Sequence, residues 1–477
     1  MGIILQGGTI VTAGDVFRAD LRIEGEKVSA IGLGLETAGD TVYEVDGCYL
    51  FPGGVDPHTH FDLPAGETST SDDFFTGTRA ALLGGTTTVL DFATQFHGES
   101  LAQGLSNWQA KARDKAFTDY GFHMAVTDWS ESVAKEMDLL AREEGIPSFK
   151  FYMAYKNTLQ VDDAVLLEAF RKAKENGAML CLHCENGDLI SDLTREALRR
   201  GERAVRVHPL TRPVAAEKEA VVRALVLAEA VGAPLYIVHV STRDALEEIV
   251  KAKLRGQEVY AETCPQYLLL DDSRYRVDGF EAAKYVISPP LRPSGHQEAL
   301  WHGLEAKAID TVATDHCAFN FRGQKELGRE DFSRIPNGMP GVETRLGLLY
   351  TYGVKSGRIT LSDFAALTAA NPAKLFGLYP RKGTLAVGSD ADVLVWDPEG
   401  SAAVSVGTLH QQADYTPFEG FKMEGRAEYV FLRGRLVVQE GRLRDVSPSG
   451  RYLFRSRRSE VRGRKGNDGE NGGNRKG

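Results

Sequence analysis

The amino-acid sequence predicts an α/β fold, a (β/α)8 TIM-like barrel with a second, small β-sandwich domain built from both chain ends. Eight short apolar runs alternate with helical patterns through the middle of the chain, as in parallel βα units. Short alternating segments separated by Gly and Asp turns occupy both ends. We expect the sandwich at 1–51 and 380–445, the barrel at 52–379, and a C-terminal extension at 446–477 that is flexible at its end.

The eight runs are the candidate barrel strands, and helical patterns such as DAVLLEAFRKAKENG and EKEAVVRALVLAEAVG lie between them. In chain order the runs are GGVDPHTH, TTTVLDF, YGFHMAV, PSFKFYMAY, AMLCLHCEN, PLYIVHVS, EVYAET and DTVATDH. A chain of 477 residues can form such a barrel together with an attached module. The active site of this architecture lies at the carboxyl ends of the strands, so polar residues there are candidates for function.

Composition excludes several classes of protein. No apolar run approaches the roughly 18 residues of a membrane span, and the first residues lack the features of a signal peptide. Five cysteines, an odd number in so long a chain, are typical of reduced thiols, and we expect a cytoplasmic protein with no membrane partner. The net charge of −10 argues against a nucleic-acid partner.

The segment from Arg451 onward differs from the rest of the chain. It carries nine Lys and Arg against three Asp and Glu and is rich in polar residues and Gly. Such a composition is typical of disordered ends. We therefore expect a solvated extension, with a basic binding arm as the alternative.

Histidine and aspartate residues stand at the ends of several predicted strands. His58 and His60 are two apart in DPHTH, so both imidazoles of an extended strand point to one side. His183, His239 and Asp315 each end a mostly apolar run. A single such residue is commonly a hydrogen-bonded core residue, but several at one rim predict a shared target. Nitrogen and carboxylate ligands together suit zinc, with manganese or cobalt as alternatives.

Lys150 lies between aromatic residues in PSFKFYMAY, where a buried ammonium is costly. One interpretation is a lysine that reaches solvent or an ion pair. The other is that desolvation leaves the amine neutral enough to react with carbon dioxide, giving a carbamate that bridges two metals. Sequence spacing alone does not distinguish the two.

The chain resembles the dihydropyrimidinase and D-hydantoinase family of the amidohydrolase superfamily from about residue 1 to residue 445. The resemblance is carried by FPGGVDPHTHFD, DDFFTGTRAALLGGTTTVLDF, SFKFYMAYK, ETCPQYLLL, ISPPLR, ATDHCAF, IPNGMPGVE and DYTPFEG. It implies a homotetramer with two divalent metal ions per chain. It further implies the following ligands: His58, His60 and Asp315 for the first metal, His183 and His239 for the second, and carboxylated Lys150 as the bridge.

The resemblance also implies a reaction. A metal-bridging hydroxide would attack the amide carbonyl of a 5,6-dihydropyrimidine or a 5-substituted hydantoin and open the ring to an N-carbamoyl amino acid. Asp315 would move the proton to the leaving nitrogen, and Tyr155 would donate a hydrogen bond to the oxyanion. Main-chain groups at Ser288 and Asn337 would hold the ureide edge of the substrate, although both residue types are also ordinary turn formers.

Substrate choice is assigned to the segment from Asp62 to Asp72, where Leu63 would face the substrate side chain together with Tyr152. An allantoinase or an L-selective hydantoinase on the same scaffold is the nearest alternative. A non-catalytic scaffold is a further alternative, but all six expected ligand positions carry ligand residues. The other histidines have no comparable setting, and we predict a structural role for His316 beside Asp315.

Overall fold

The computed structural model describes residues 2–444 and 447–457. The amino-terminal part contributes short strands, which are β1 (Ile3–Gln6), β2 (Thr9–Val11), β3 (Val16–Arg18), β4 (Asp20–Glu24), β5 (Lys27–Gly32), β6 (Thr41–Glu44) and β7 (Tyr49–Pro52). The strands that follow are β8 (Gly54–Thr59), β9 (Pro64–Ala65), β10 (Thr68–Ser69), β11 (Thr86–Thr94), β12 (Asp119–Ala125), β13 (Ser148–Tyr152), β14 (Met179–His183), β15 (Leu235–Ile237), β16 (Val259–Thr263) and β17 (Thr311–Val312). The carboxyl-terminal strands are β18 (Val393–Ala403), β19 (Lys422–Leu432), β20 (Arg435–Gln439) and β21 (Arg442–Leu443).

The barrel contains the eight predicted runs as neighbouring strands in the order β8, β11, β12, β13, β14, β15, β16, β17, and every pairing is parallel. A parallel bridge between Thr59 and His316, with the amide of His60 donating to the carbonyl of His316 at 2.9 Å, joins the last strand end to the first. The predicted α/β barrel is therefore confirmed.

Helices surround the barrel. In chain order they are α1 (Phe74–Leu83), α2 (Leu101–Ala112), α3 (Glu131–Glu143), α4 (Asp163–Asn176), α5 (Gly187–Arg199), α6 (His208–Thr211), α7 (Val214–Val231), α8 (Arg243–Leu254), α9 (Pro265–Leu269), α10 (Gly295–Glu305), α11 (Arg345–Leu349), α12 (Leu361–Ala365) and α13 (Asn371–Leu375). Both predicted helical patterns form helices, α4 and α7. In α4 the Asp162 side chain accepts from the amide of Val165, and Gly177 ends the helix with a φ of 64°.

Short helical turns fill the loops between these elements. The 3-10 turns are Val205–Val207, Asp272–Arg276, Glu281–Tyr285, Lys325–Gly328 and Phe332–Arg334. Two π-helical segments, Tyr350–Lys355 and Ala366–Ala370, continue α11 and join α12 to α13. None of the helices in the described ranges has the length and apolar character needed to cross a bilayer.

The chain ends form the second domain, as predicted. One sheet has four strands in the order β5, β4, β1, β6, and the other has seven in the order β21, β20, β19, β18, β7, β2, β3. Leu5 and Leu21 of the first sheet share a buried cluster with Leu50, Val395 and Phe431 of the second. In the larger sheet the carboxyl-terminal strand β18 pairs with the amino-terminal strand β7, so neither end can form this sandwich alone.

The carboxyl-terminal segment is in part different from the prediction. Residues 451–457 are not a solvated extension, because Leu453 is 4% exposed and Arg455 is fully buried. The amide of Leu453 donates to the carbonyl of Tyr120 at 2.7 Å, at the start of β12. Composition misled here because three apolar residues, Tyr452, Leu453 and Phe454, stand within a basic stretch. The predicted flexible end, from residue 458, lies outside the described residues.

Candidate active site

The predicted site residues lie at the carboxyl ends of the barrel strands. His58 belongs to β8, Lys150 to β13 and His183 to β14, whereas His239 and Asp315 follow β15 and β17 closely. All five are buried or nearly so, and the Asp315 side chain is 15% exposed. Parallel strands in register bring their carboxyl ends to the same rim, which is why residues far apart in sequence meet here.

His58, His60 and Asp315 form one cluster. The Nε2 atoms of the two histidines are 3.2 Å apart, and Oδ1 of Asp315 lies 3.1 Å from the first and 3.2 Å from the second. One ligand atom from each residue lies within 4.8 Å of the others. Two imidazole nitrogens and a carboxylate oxygen directed at one point are a donor set that suits zinc or a similar divalent ion.

His183 and His239 form a second pair beside this cluster. Nδ1 of His183 lies 2.9 Å from Nε2 of His239, and the ring centroids are 4.7 Å apart. The ring of His239 is also 5.6 Å from the ring of His58, so the pair and the cluster are neighbours. The structure thus brings all four predicted histidine ligands together.

In each of the two groups, a buried carboxylate contacts a ring nitrogen of one histidine. The sequence interpretation did not identify these carboxylates. Oε1 of Glu262 lies 2.6 Å from Nδ1 of His58, and Oε2 of Glu185 lies 3.0 Å from Nε2 of His183. A carboxylate on the second ring nitrogen fixes the tautomer that leaves the first nitrogen free to bind a metal. The available signals were an acidic residue inside the run EVYAET and another two residues after His183 in LHCEN.

The electrostatics of the site also suit a cation. Burial lowers the pKa of His60 to about 4 and the pKa of His239 well below its usual value, so these imidazoles are neutral, as metal ligands are. Burial acts in the same direction on His58, but Glu262 and Asp315 outweigh it and raise its pKa to about 9. The two carboxylates therefore favour a positive charge at this position, which a bound metal would supply.

Lys150 is fully enclosed at the same rim, at 1% exposure. Its Nζ lies 4.8 Å from the ring centroid of Phe92 and 5.2 Å from that of Tyr152. Burial lowers the pKa of Lys150. The side chain therefore does not reach solvent, and its burial favours the neutral form of the amine.

Tyr155 lies next to the second pair, with its ring 5.3 Å from that of His183. Burial raises the pKa of Tyr155 to about 12, and Arg212 and Ser288 offset part of this effect. The hydroxyl is therefore a hydrogen-bond donor at neutral pH. Arg212, which sequence reasoning also missed, donates to Oε2 of Glu185 at 2.6 Å and stacks 5.4 Å from the Tyr155 ring.

Ser288 and Asn337 lie on two adjacent main-chain segments. The amide of Gly338 donates to the carbonyl of Val286 at 3.0 Å, which joins the two segments. The amide of Cys317, two residues beyond Asp315, donates to the carbonyl of Met339 at 3.2 Å. These contacts place the Asn337 segment beside the end of β17.

Three predicted site residues have a left-handed backbone. The φ angles are 66° at Tyr155, 40° at His239 and 51° at Asp315. Such conformations cost a side-chain-bearing residue about 1 kcal/mol or more, and they persist where surrounding contacts hold them, which is common at active sites. Here they turn the chain sharply just beyond the ends of the strands.

Two further features lie beside the site, and the first of them was predicted. His316 has a structural role, since Nε2 lies 3.0 Å from Oδ2 of Asp72 and Nδ1 accepts from the amides of Gly341 and Val342, both at 3.1 Å. A cleft of about 540 Å³ opens along α5 and shares Tyr155 and Arg212 with the site. Most of its lining lies on α5, whereas Tyr155 and Arg212 come from other segments of the chain.

Comparison with known proteins agrees with this geometry. The model of the amidohydrolase family matches residues 49–437. The chain therefore belongs to the amidohydrolase family. Within that family it belongs with the D-hydantoinases and dihydropyrimidinases, since it is 47% identical over 454 residues to the D-hydantoinase of Geobacillus stearothermophilus, across 95% of this chain and 96% of that protein.

Solved structures give the same result. The crystal structure of dihydropyrimidinase from Brevibacillus agri superposes with a TM-score of 0.95 at 48% identity, covering 96% of this chain and 99% of that one. L-hydantoinase (dihydropyrimidinase) from Arthrobacter aurescens superposes with a TM-score of 0.86 at 29% identity, covering 95% and 99%. The chain is thus more similar to the first of these two proteins.

Proposed function

We propose that this protein opens the ring of cyclic amides by hydrolysis, converting 5,6-dihydropyrimidines and 5-substituted hydantoins into N-carbamoyl amino acids. The observation that carries the proposal is the cluster of His58, His60 and Asp315, directly beside the pair of His183 and His239. The names of the similar proteins, D-hydantoinase and dihydropyrimidinase, support the choice of substrate.

Two divalent metal ions, zinc in the first instance with manganese or cobalt as alternatives, would complete the site. His58, His60 and Asp315 would hold the first ion, His183 and His239 the second, and Lys150, carboxylated on Nζ, would bridge them. Bound ions of this kind lower the pKa of water towards about 7 and polarise a carbonyl group. The neutral imidazoles, the unprotonated Asp315 and the enclosed Lys150 have the donor chemistry that such ions need.

The remaining steps belong to side chains and main chain of this protein. Asp315 accepts a proton from the attacking water and returns it to the leaving ring nitrogen. The Tyr155 hydroxyl donates a hydrogen bond to the oxygen on which negative charge develops. Main-chain groups at Ser288 and Asn337 bind the uncharged ureide edge, while Leu63 and Tyr152 face the ring substituent.

The alternatives differ in substrate and not in site chemistry. An L-selective hydantoinase is disfavoured because the L-hydantoinase structure is 29% identical to this chain, against 48% for the dihydropyrimidinase. An allantoinase remains the second candidate. A non-catalytic scaffold is disfavoured because the four histidines, Lys150 and Asp315 all reach the same rim. We further propose a cytoplasmic homotetramer, on the resemblance alone.

The decisive experiment measures ring opening of dihydrouracil and of both enantiomers of 5-phenylhydantoin, with metal content determined on the same preparation. We expect turnover with about two metals per chain, lost together with metal in Lys150→Ala. Lys174→Ala, on the exposed face of α4, is the matched control and should behave as the wild type. Absence of turnover in a metal-loaded sample would overturn the assignment, and activity towards allantoin instead would favour the second candidate.

A further inference from the structure

Lys325 is a buried lysine that the proposed chemistry does not use. It lies at the start of the 3-10 turn Lys325–Gly328 and is fully buried. Its Nζ donates to three main-chain carbonyls, those of Val286 at 2.8 Å, Pro336 at 2.7 Å and Gly338 at 2.7 Å. An ammonium group has three N–H donors, so this geometry uses every one of them.

The three carbonyls flank the two predicted substrate-binding positions. Val286 is two residues before Ser288, and Pro336 and Gly338 stand on either side of Asn337. The carbonyl of Val286 also accepts from the amide of Gly338 at 3.0 Å. One ammonium group therefore fixes both segments that form the proposed ureide cradle.

Peptide planarity explains what such a contact achieves. The C=O of Pro336 and the N–H of Asn337 belong to one planar unit and point in opposite directions when the bond is trans. Directing that carbonyl at Lys325 therefore directs the Asn337 amide away from Lys325. The segment is also closely packed. A Cβ added at Gly338, where φ is 152°, would lie 2.1 Å from the carbonyl oxygen of Cys317.

Stability alone is a poor reason for a lysine at this position. Burial lowers the pKa of Lys325 to about 7, because the ammonium form is expensive to desolvate, and an aromatic ring, that of Phe319, lies 5.8 Å from Nζ. An apolar side chain would fill the same space at a lower cost of desolvation, but it could not orient three carbonyls.

We propose that Lys325 is a positioning residue that orients the main-chain segments of Ser288 and Asn337 for binding of the ureide edge of the substrate. The inference rests on the proposed function. Since every cyclic ureide presents the same edge whatever its ring substituent, Lys325 should affect all such substrates equally.

The test is the kinetics of Lys325→Met on unsubstituted hydantoin and on 5-phenylhydantoin. We expect KM to rise about tenfold for both substrates, because loss of the donors affects binding. The kcat should stay within about threefold of the wild-type value, and the metal content should not change. Lys253→Met is the matched control, since Lys253 Nζ donates to the carbonyl of Ala308 at 2.8 Å and to Asp310 away from the site. This control should leave KM unchanged.

An unchanged KM in folded, metal-loaded Lys325→Met, or a rise confined to one substrate, would overturn the inference. If that variant does not fold, Lys325→Arg retains charge and donors in a wider fork that cannot reproduce the three contacts. A raised KM for both substrates would again support the inference, and a wild-type KM would overturn it. Failure of the wild type to open any cyclic ureide would instead overturn the proposed function, and this inference with it.

Discussion

Glu262 joins three parts of the candidate site through one buried carboxylate. Oε1 lies 2.6 Å from Nδ1 of His58 and accepts from the amide of His239 at 3.1 Å, while Oε2 accepts from the hydroxyl of Tyr236 at 2.7 Å. The same group thus fixes the tautomer of one predicted metal ligand and the main chain at another. Any effect of Glu262 on a bound metal would act through these ligands and not by direct contact.

Replacing Glu262 with Gln should weaken metal retention. Glutamine has nearly the same shape, but it lacks the charge that favours a cation at His58, and its amide group cannot accept from every present donor. Loss of a carboxylate behind a histidine ligand typically costs 10–100-fold in metal affinity or activity. Metal content after dialysis against graded chelator, with kcat measured on the same samples, would reveal this loss.

The matched control is Glu298→Gln. Glu298 is an exposed carboxylate on α10 that pairs with Arg358 at 2.9 Å and 3.0 Å. It should retain metal as the wild type does. Equal retention in Glu262→Gln and Glu298→Gln would contradict the role assigned to Glu262.

The sequence predicts the candidate metal ligands better than the residues that hydrogen-bond to those ligands or to their partners. His183, His239 and Asp315 could be identified because each ends an apolar run, where a polar residue needs a partner. Glu262 stands within a run that also contains Glu258, and which of the two faces the barrel interior depends on strand register. Arg212 lies in a loop and meets Glu185 through tertiary contacts alone, so no local pattern marks it.

The conformation of the segment from Asp62 to Asp72 depends on contacts within the segment and on contacts from Gln324. It contains the β9–β10 hairpin, in which the amide of Leu63 donates to Oγ1 of Thr70 at 2.9 Å. Gln324, at the start of the 3-10 turn Lys325–Gly328, holds strand β10 of the hairpin, because its Nε2 donates to Oγ1 of Thr68 at 2.7 Å and to the carbonyl of Ser69 at 2.6 Å. Gln324 and Lys325 are adjacent, so one turn contacts both the proposed specificity segment and the proposed ureide cradle.

Gln324→Ala should therefore alter selectivity and leave ureide binding intact. The substitution removes the two hydrogen bonds to β10, of about 1 kcal/mol each, and a third that the Asn320 amide donates to Gln324 Oε1 at 2.7 Å. We expect the ratio of kcat/KM for 5-phenylhydantoin to that for unsubstituted hydantoin to change about fivefold, with metal content unchanged. Gln257→Ala is the control, since its amide donates to the carbonyl of Leu225 at 2.8 Å away from the site. A wild-type ratio in Gln324→Ala would contradict the role in substrate selectivity that we assign to this hairpin.

The elements themselves were predictable to different degrees. All eight barrel strands follow from apolar runs, and α4 and α7 follow from helical patterns, although α7 begins at Val214, three residues before its pattern. The 3-10 turns from Asp272 to Tyr285 and from Lys325 to Arg334 do not, because tertiary contacts such as those of Lys325 determine their shape. β17 is also shorter than its run, since the chain leaves the sheet before the left-handed turn at Asp315.

On the scale of the whole molecule, the segment 451–456 closes the end of the barrel opposite the candidate site. Tyr452 forms a parallel bridge with Tyr120 at the start of β12, and Leu453 enters the cluster inside the barrel that includes Val55 and Leu90. Arg451 pairs with Glu26 of the sandwich at 2.6 Å. The segment thus joins the two domains as well as covering the barrel.

Ending the chain after Ser449 should lower stability while leaving the site intact. The change exposes the surface covered by Tyr452 and Leu453, and burial of one large apolar side chain contributes about 1.5–3 kcal/mol. We expect thermal unfolding to show a melting temperature several degrees lower. The kcat and the metal content should be retained at moderate temperature, because the strand ends that carry the predicted ligands are at the other rim. A chain ended after Arg457 keeps every contact named here and is the control. If both chains melted at the same temperature, the segment 451–456 would not contribute to stability. If the shorter chain bound less metal than the control, contacts at this end of the barrel would affect metal binding at the other end.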